Sequence, residues 1–203
     1  YRLGGEMAHL STPFVASGEH MAPPNRFASD KLIREGDLVF IDIGAMWNGY
    51  FSDMGRTVVC GEPSRRQQEV YGAVHAALVA AREAMRPGNT NDDVAAAVRA
   101  AGAEHGLDGD FLSLFIGHGV GIGANEPPYV GESLPGDETV ELEEGMTMAI
   151  EPLIWVPGVP GGAGVRLEDT ILVQEGGGVA LTRTGFDRRL LLAQVDDFDL
   201  QAG

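Results

Sequence analysis

The spacing of apolar and polar positions changes period along the chain, and each change marks an element. Residues 12–17 (TPFVAS), 38–45 and 50–60 are rich in Val, Ile, Phe and Thr and read as strands. Residues 64–86 (SRRQQEVYGAVHAALVAAREAMR) read as a helix, with Ser64 placed to cap it and Pro87-Gly88 to stop it. A second helix is predicted over about 91–105, capped by Thr90 or Asn91. Strands resume at 146–156, 165–174 and 178–182, separated by glycine and proline turns. This order predicts an α+β domain with helices on one face of a curved sheet. No linker divides the chain, so residues 1–203 are expected to form a single domain.

Two local patterns refine this. Asn48-Gly49 is a two-residue hairpin signal, which pairs Trp47 with Tyr50 and sets Gly44 opposite Asp53. REGDLVFIDIG (34–44) and EEGMTMAIEPL (143–153) align as a faint internal repeat. The matched pairs are Glu35 with Glu144, Gly36 with Gly145, Ile41 with Ile150, and Asp42 with Glu151.

The hairpin raises a problem. Asp42 and Asp53 would lie diagonally on one face, about 7–8 Å apart by backbone and closer at their side chains. The second copy repeats it, with Glu151 in MAIEPLIWV and Glu168 in GVRLEDTILV. Four carboxylates in strand interiors cost several kcal/mol each unless protonated, paired with bases or bound to metal. Arg166 is the basic residue near them in these strands, and one guanidinium cannot neutralise four acids. Divalent cations are the simplest resolution. His118, in FIGHGVGIG, offers a nitrogen ligand that its glycine neighbours leave unobstructed. Four oxygen ligands and one nitrogen suit a pair of Mn, Co, Fe or Zn ions, without choosing among them. Two such ions about 3.5–4 Å apart would hold a bridging water and lower its pKa.

Composition narrows the class. Thirty acidic against 14 basic residues give a net charge of −16, which argues against a nucleic-acid partner. No apolar run approaches the roughly 20 residues of a membrane span, and the first residues lack a signal-peptide layout. The single cysteine, Cys60, excludes an internal disulfide framework and fits a reducing compartment, so a cytoplasmic location is expected.

The segments VFIDIGAMWNGYFSDMGRTV, GHGVGIGANEPP, GMTMAIEP and GVRLEDT closely resemble the pita-bread metallohydrolases, which include methionine aminopeptidase, aminopeptidase P, prolidase and creatinase. The similarity covers about residues 12–192 and leans toward the prolidase and aminopeptidase P branch. It implies a curved antiparallel sheet with helices on its outer face and an internal pseudo-repeat. It also implies a homodimer and two divalent ions, manganese among them. The metal ligands would be Asp42, Asp53, His118, Glu151 and Glu168, with Glu151 also the proton acceptor and Arg166 orienting a carboxylate.

Departures from the family pattern bear on the substrate. Pro24 (in APPN) and Asn125 (in NEPP) stand where the peptidases usually carry histidine, and LSLFI (112–116) lacks a further one. Such histidines stabilise the developing oxyanion or protonate the leaving amine. His9 and His20 are nearby substitutes, whereas His75 and His105 read as structural. The loop 156–164 would border the substrate pocket. Family catalytic domains open with helices ahead of the PFVASG strand, so N-terminal helices or an upstream domain are expected to be missing. The leading expectation is an Xaa-Pro metallopeptidase acting on a short peptide or small amide through a metal-bridged hydroxide. The alternatives are a creatinase-like or lyase-type enzyme on a small metabolite, and a catalytically weakened binding module.

Overall fold

The computed structural model describes residues 13–21, 29–107, 115–131 and 138–192. Strand β1 (Phe14–Ser17) pairs antiparallel with β2 (Leu38–Trp47), which pairs with β3 (Tyr50–Val59). The β2–β3 register is the expected one, Trp47 opposite Tyr50 and Gly44 opposite Asp53. Asn48 (φ 49°) and Gly49 (φ 82°) both take the left-handed conformation that a tight hairpin of this twist requires.

Two helices follow. α1 (Arg65–Ala84) starts at a capping box in which the Ser64 hydroxyl accepts from the Gln67 N–H and the Gln67 side chain returns to Ser64. α2 (Asn91–Glu104) is capped in the same way by Thr90 and Asp93, which settles Thr90 over Asn91. Val70, Tyr71, Val74, Leu78 and Ala81 of α1 and Val94, Ala95 and Val98 of α2 face inward. They form one apolar core with Met148, Ile150, Val165 and Ile171 of the strands that follow. No helix among the described residues is long and apolar enough to cross a membrane.

The second half supplies β4 (Gly117–Gly119), β5 (Glu126–Val130), β6 (Thr147–Ile150), β7 (Leu153–Trp155), β8 (Gly164–Arg166), β9 (Asp169–Leu172) and β10 (Val179–Ala180). Their sheets run β10-β9-β6-β4-β5 and β7-β8, and every pairing is antiparallel. Two predicted strands are therefore each split in two. The stretch 146–156 breaks at Glu151-Pro152, where proline has no N–H to give a ladder, and 165–174 breaks at Leu167-Glu168. Glu151 and Glu168 thus sit in strand breaks, not in strand interiors as expected. Strands β4 and β5 fall between the second helix and residue 146, where the sequence pattern predicts no element.

The repeat is visible in the hydrogen bonds. β1-β2-β3 and β4-β6-β9 have the same order and direction. Gly36 (φ 85°) and Gly145 (φ 92°) make the same left-handed turn into β2 and β6. Gly36 N–H donates to Cys60 O and Cys60 N–H to Asp37 O; Gly145 N–H donates to Val173 O and Val173 N–H to Met146 O. Ile41 pairs with Val15 and Arg56, and Ile150 with Gly117 and Asp169. On this register Asp42 corresponds to Glu151, and DMGRT (53–57) to RLEDT (166–170).

The two halves meet along those last two segments. The Thr170 hydroxyl donates to Asp53 O (2.7 Å) and accepts from Asp53 N–H (3.1 Å). Its counterpart, the Thr57 hydroxyl, donates to Arg166 O (2.8 Å) and accepts from Arg166 N–H (3.1 Å). Between them Glu168 N–H donates to Gly55 O at 3.0 Å. Arg56 and Asp169, also counterparts, form a buried ion pair at 2.7 Å. A pseudo-two-fold axis runs through this seam.

Gly55 has no room for a side chain. A Cβ there would lie 2.8 Å from Glu168 Oε2 and 2.9 Å from Phe40 Cε2. Gly55→Ala is therefore expected to cost about 1–3 kcal/mol in urea denaturation, and a cost near zero would show that the seam is looser than drawn.

Candidate metal centre

Each half contributes to one cluster of ionisable side chains. Asp42 of β2 and Asp53 of β3 occupy opposite corners of a square whose other corners are Gly44 and Gly55. The glycines leave the face open, and the Asp42 charge bears on Asp53 across it. One carboxylate oxygen each of Asp53 and Glu168 and a ring nitrogen of His118 all lie within 4.8 Å of one another. His118 Nε2 is 3.5 Å from Glu151 Oε1 and 3.9 Å from Asp53 Oδ2. Asp53, His118 and Glu168 thus cluster, Glu151 joins them through His118, and Asp42 lies diagonal to Asp53.

The surroundings fix how each one points. His118 Nδ1 lies 2.9 Å from Gly119 O, so Nδ1–H donates to that carbonyl and Nε2 faces the acids. Its ring stacks on Phe115 at 5.6 Å. Arg166 Nη1 holds Glu151 Oε2 at 3.0 Å, and its guanidinium lies over the Phe40 ring. A second arginine, Arg56, also sits in these strands but turns away, bonding Asp169, Gly55 O, Glu168 O and Thr184 O.

Charge is crowded here. Burial, then the charges of Asp42 and Glu151, push Asp53 up to about 7. Burial and the Glu151 charge raise Asp42, and burial followed by the charges of Glu151, Asp53 and Asp42 raises Glu168 well above the carboxylate range. Glu168 Oε2 is buried with no hydrogen-bond partner among the described residues. An orphaned buried carboxylate oxygen, an imidazole nitrogen and crowded acids form a donor set that divalent cations fit.

Residues 1–175 match metallopeptidase family M24. The chain belongs to that family. It is 44% identical over 188 residues to an Xaa-Pro dipeptidase of Pyrococcus furiosus, covering 93% of this chain and 51% of the relative. It is 42% identical over 168 residues to the probable dipeptidase PepE of Mycobacterium tuberculosis, covering 82% and 43%. The solved prolidase from Pyrococcus furiosus superimposes with a TM-score of 0.76 at 41% identity, over 85% of this chain and 49% of that one. This M24 chain thus spans about half the length of the curated relatives it matches, and its fold is the expected pita-bread one.

Other expected residues are less central. Asn125 is exposed just before β5. Pro24, His9 and residues 112–114 lie outside the described residues. His20 is half-buried, its Nδ1 3.4 Å from the Ser29 hydroxyl. His75 is buried edge-on against Phe186, and burial followed by the charges of Arg56 and Arg82 pushes it down to about 4, so it is a neutral core residue. His105 ends α2. The loop 156–164 packs against Gly18, Met21, Gly36 and Gln67.

The raised Asp53 has a thermodynamic consequence. In the metal-free fold it binds its proton more tightly than in the unfolded chain, where the ordinary value is 3.8. Its favourable contribution is full below that value and is lost as pH rises through about 7. Metal-free Asp53→Asn is therefore expected to be more stable than wild type at pH 8, the advantage shrinking toward pH 4. Urea denaturation across that range measures it, and a pH-independent difference would refute the crowding described here.

Proposed function

We propose that this M24 chain carries the dinuclear metal centre of an Xaa-Pro peptidase, of prolidase or aminopeptidase P type, acting on short peptides. The observation that carries the reading is the cluster of Asp53, His118 and Glu168, with Glu151 against His118, Asp42 diagonal to Asp53, and Glu168 Oε2 buried without a partner. The names of the relatives, Xaa-Pro dipeptidase and prolidase, support the substrate class.

Asp42, Asp53 and Glu168 would hold one ion, and His118 and Glu151 would complete the second. Bound Mn, Co, Zn or Fe would supply Lewis acidity to a peptide carbonyl and acidify water. The chain's own part is orientation and proton handling. Arg166 occupies Glu151 Oε2, so Oε1, turned toward His118, is the oxygen free to accept a proton. The Gly119 carbonyl keeps the His118 lone pair available. Asn125 can donate a hydrogen bond to substrate but cannot carry a proton near neutral pH. Manganese, a cytoplasmic location and a homodimeric assembly complete the proposal, the last on family resemblance.

A second reading, cleavage of a small non-peptide amide or amidine, is favoured by Pro24 and Asn125 in place of histidine. A panel of Xaa-Pro dipeptides and small amides with added Mn²⁺ or Co²⁺ separates the two. Asp53→Ala and Glu151→Ala are each expected to abolish metal content and turnover, read by elemental analysis and by dipeptide hydrolysis. Full metal occupancy in both variants would sink the assignment.

A further inference from the structure

Arg56 turns its charge away from the carboxylates, yet it grips the backbone of one of them. It is buried on β3 beside Gly55, and each N–H of its guanidinium has an acceptor. Nη1 donates to Gly55 O at 2.9 Å and to Glu168 O. Nη2 donates to Asp169 Oδ1 at 2.7 Å and to Thr184 O at 2.7 Å, and Nε donates to Thr184 O at 3.0 Å.

The position of Glu168 explains why this grip matters. The β7–β8 ladder ends at Arg166 and the β6–β9 ladder begins at Asp169, so Glu168 lies between the two. Its carbonyl, outside either ladder, is met by Arg56. Its N–H donates to Gly55 O, the carbonyl that Arg56 also holds. Fixing the N–H and the C=O of a residue fixes the direction of its Cβ. Glu168 accordingly sends its side chain across Gly55, where an added Cβ would lie 3.2 Å from Glu168 Cβ and 2.8 Å from Oε2.

The guanidinium is itself held from behind. Its central carbon sits 4.5 Å from the centre of the Phe186 ring. The segment carrying Thr184 and Phe186 is tied down in turn. Leu181 N–H donates to Thr170 O, the Thr182 hydroxyl donates to Asp169 Oδ1, and Asp187 Oδ2 accepts from Val59 N–H.

We propose that Arg56 is the positioning residue for Glu168. Through Nη1 it locks the carbonyls of Gly55 and Glu168 together, and the Glu168 carboxylate is thereby aimed into the acidic cluster. The metal consequence rests on the reading of Glu168 as a ligand; the hold on its backbone does not.

The two are tested separately. In the metal-free chain, nitrogen-15 NMR of the arginine side chains, with Arg56→Lys to assign the signals, reports whether the guanidinium is locked. Wild type is expected to show separate, slowly exchanging Nη protons for Arg56 and a slowly exchanging Glu168 amide. A single averaged Nη signal in the folded wild type would overturn the proposal, and this measurement needs no variant that folds.

Arg56→Lys keeps a cation for Asp169 but lacks the planar fork that serves two carbonyls. Asp169→Asn does the reverse, removing the ion pair while leaving an acceptor oxygen and the fork in place. Titration calorimetry with Mn²⁺ alone should find affinity about 10–100-fold weaker in Arg56→Lys and near wild type in Asp169→Asn. Urea denaturation should show both variants destabilised, so that affinity does not follow stability. Should Asp169→Asn not fold, Thr182→Val, which removes the other partner of that carboxylate, takes its place. Wild-type affinity in folded Arg56→Lys, or an equal loss in both variants, would overturn the proposal. If Glu168→Ala binds Mn²⁺ as tightly as wild type, the ligand assignment fails instead, and the NMR result still decides the role of Arg56.

Discussion

A single backbone hydrogen bond, from Glu168 N–H to Gly55 O, marks the place where the two halves of the molecule are joined. Everything at the metal centre is arranged about it. The bond lies on the pseudo-axis, so the threonine bridges on either side, Asp53 with Thr170 and Arg166 with Thr57, are images of one another. Each hydroxyl both donates and accepts, which satisfies backbone groups that no neighbouring strand would otherwise meet. The Arg56–Asp169 pair is buried, and Arg56 also gives hydrogen bonds to three carbonyls, the condition under which a buried ion pair keeps its place without a large desolvation penalty.

The axis relates the two halves in backbone but not in charge, and the difference accounts for the site. Asp42 and Glu151 are equivalent, and each faces the residue at the equivalent place across its own sheet. In the first half that residue is Asp53, so acid meets acid, and the Asp42 charge helps hold Asp53 above its ordinary value. In the second half it is Arg166, and acid meets guanidinium at 3.0 Å. Glu168 then takes the position that Gly55 holds in the first half, and the missing side chain of Gly55 is what makes room for it. One half therefore carries an unresolved repulsion and the other a resolved one. A cation bound at the seam would relieve the first without disturbing the second.

This division also explains which parts were legible in the sequence. The Asn48-Gly49 turn dictates its hairpin locally, so the β2–β3 register and the Asp42–Asp53 diagonal could be read directly. Ser64 and Thr90 likewise announce their helices because a cap is a contact between near neighbours. The splitting of 146–156 and 165–174 was missed because the apolar run continues through Glu151 and Glu168; only Pro152 hinted at a break. The seam was missed for a different reason. The signal was present as a mirrored pattern, Asp-x-x-Arg-Thr at 53–57 against Arg-x-x-Asp-Thr at 166–170, but its meaning depends on the two segments lying side by side. Strand β4 escaped because its two glycines, Gly117 and Gly119, are set by close backbone approach, which composition alone renders as a turn, and β5 because it opens on Glu126 and two prolines.

Asn125, which departs from the family pattern, is set apart in the fold from the clustered residues that keep it. The five clustered side chains sit on strands or at strand breaks braced by the seam. Asn125 sits on the exposed shoulder of a loop, beside Glu126, which turns inward. Adjacent residues thus face opposite demands, one holding the loop against the strand and the other open to whatever approaches. The packing of the loop is carried by Glu126 and the glycines, so a change at the exposed Asn125 leaves it in place. The histidine could therefore be exchanged at this position without cost to the carboxylate cluster, and the chemistry of the bound molecule is where such an exchange would be felt.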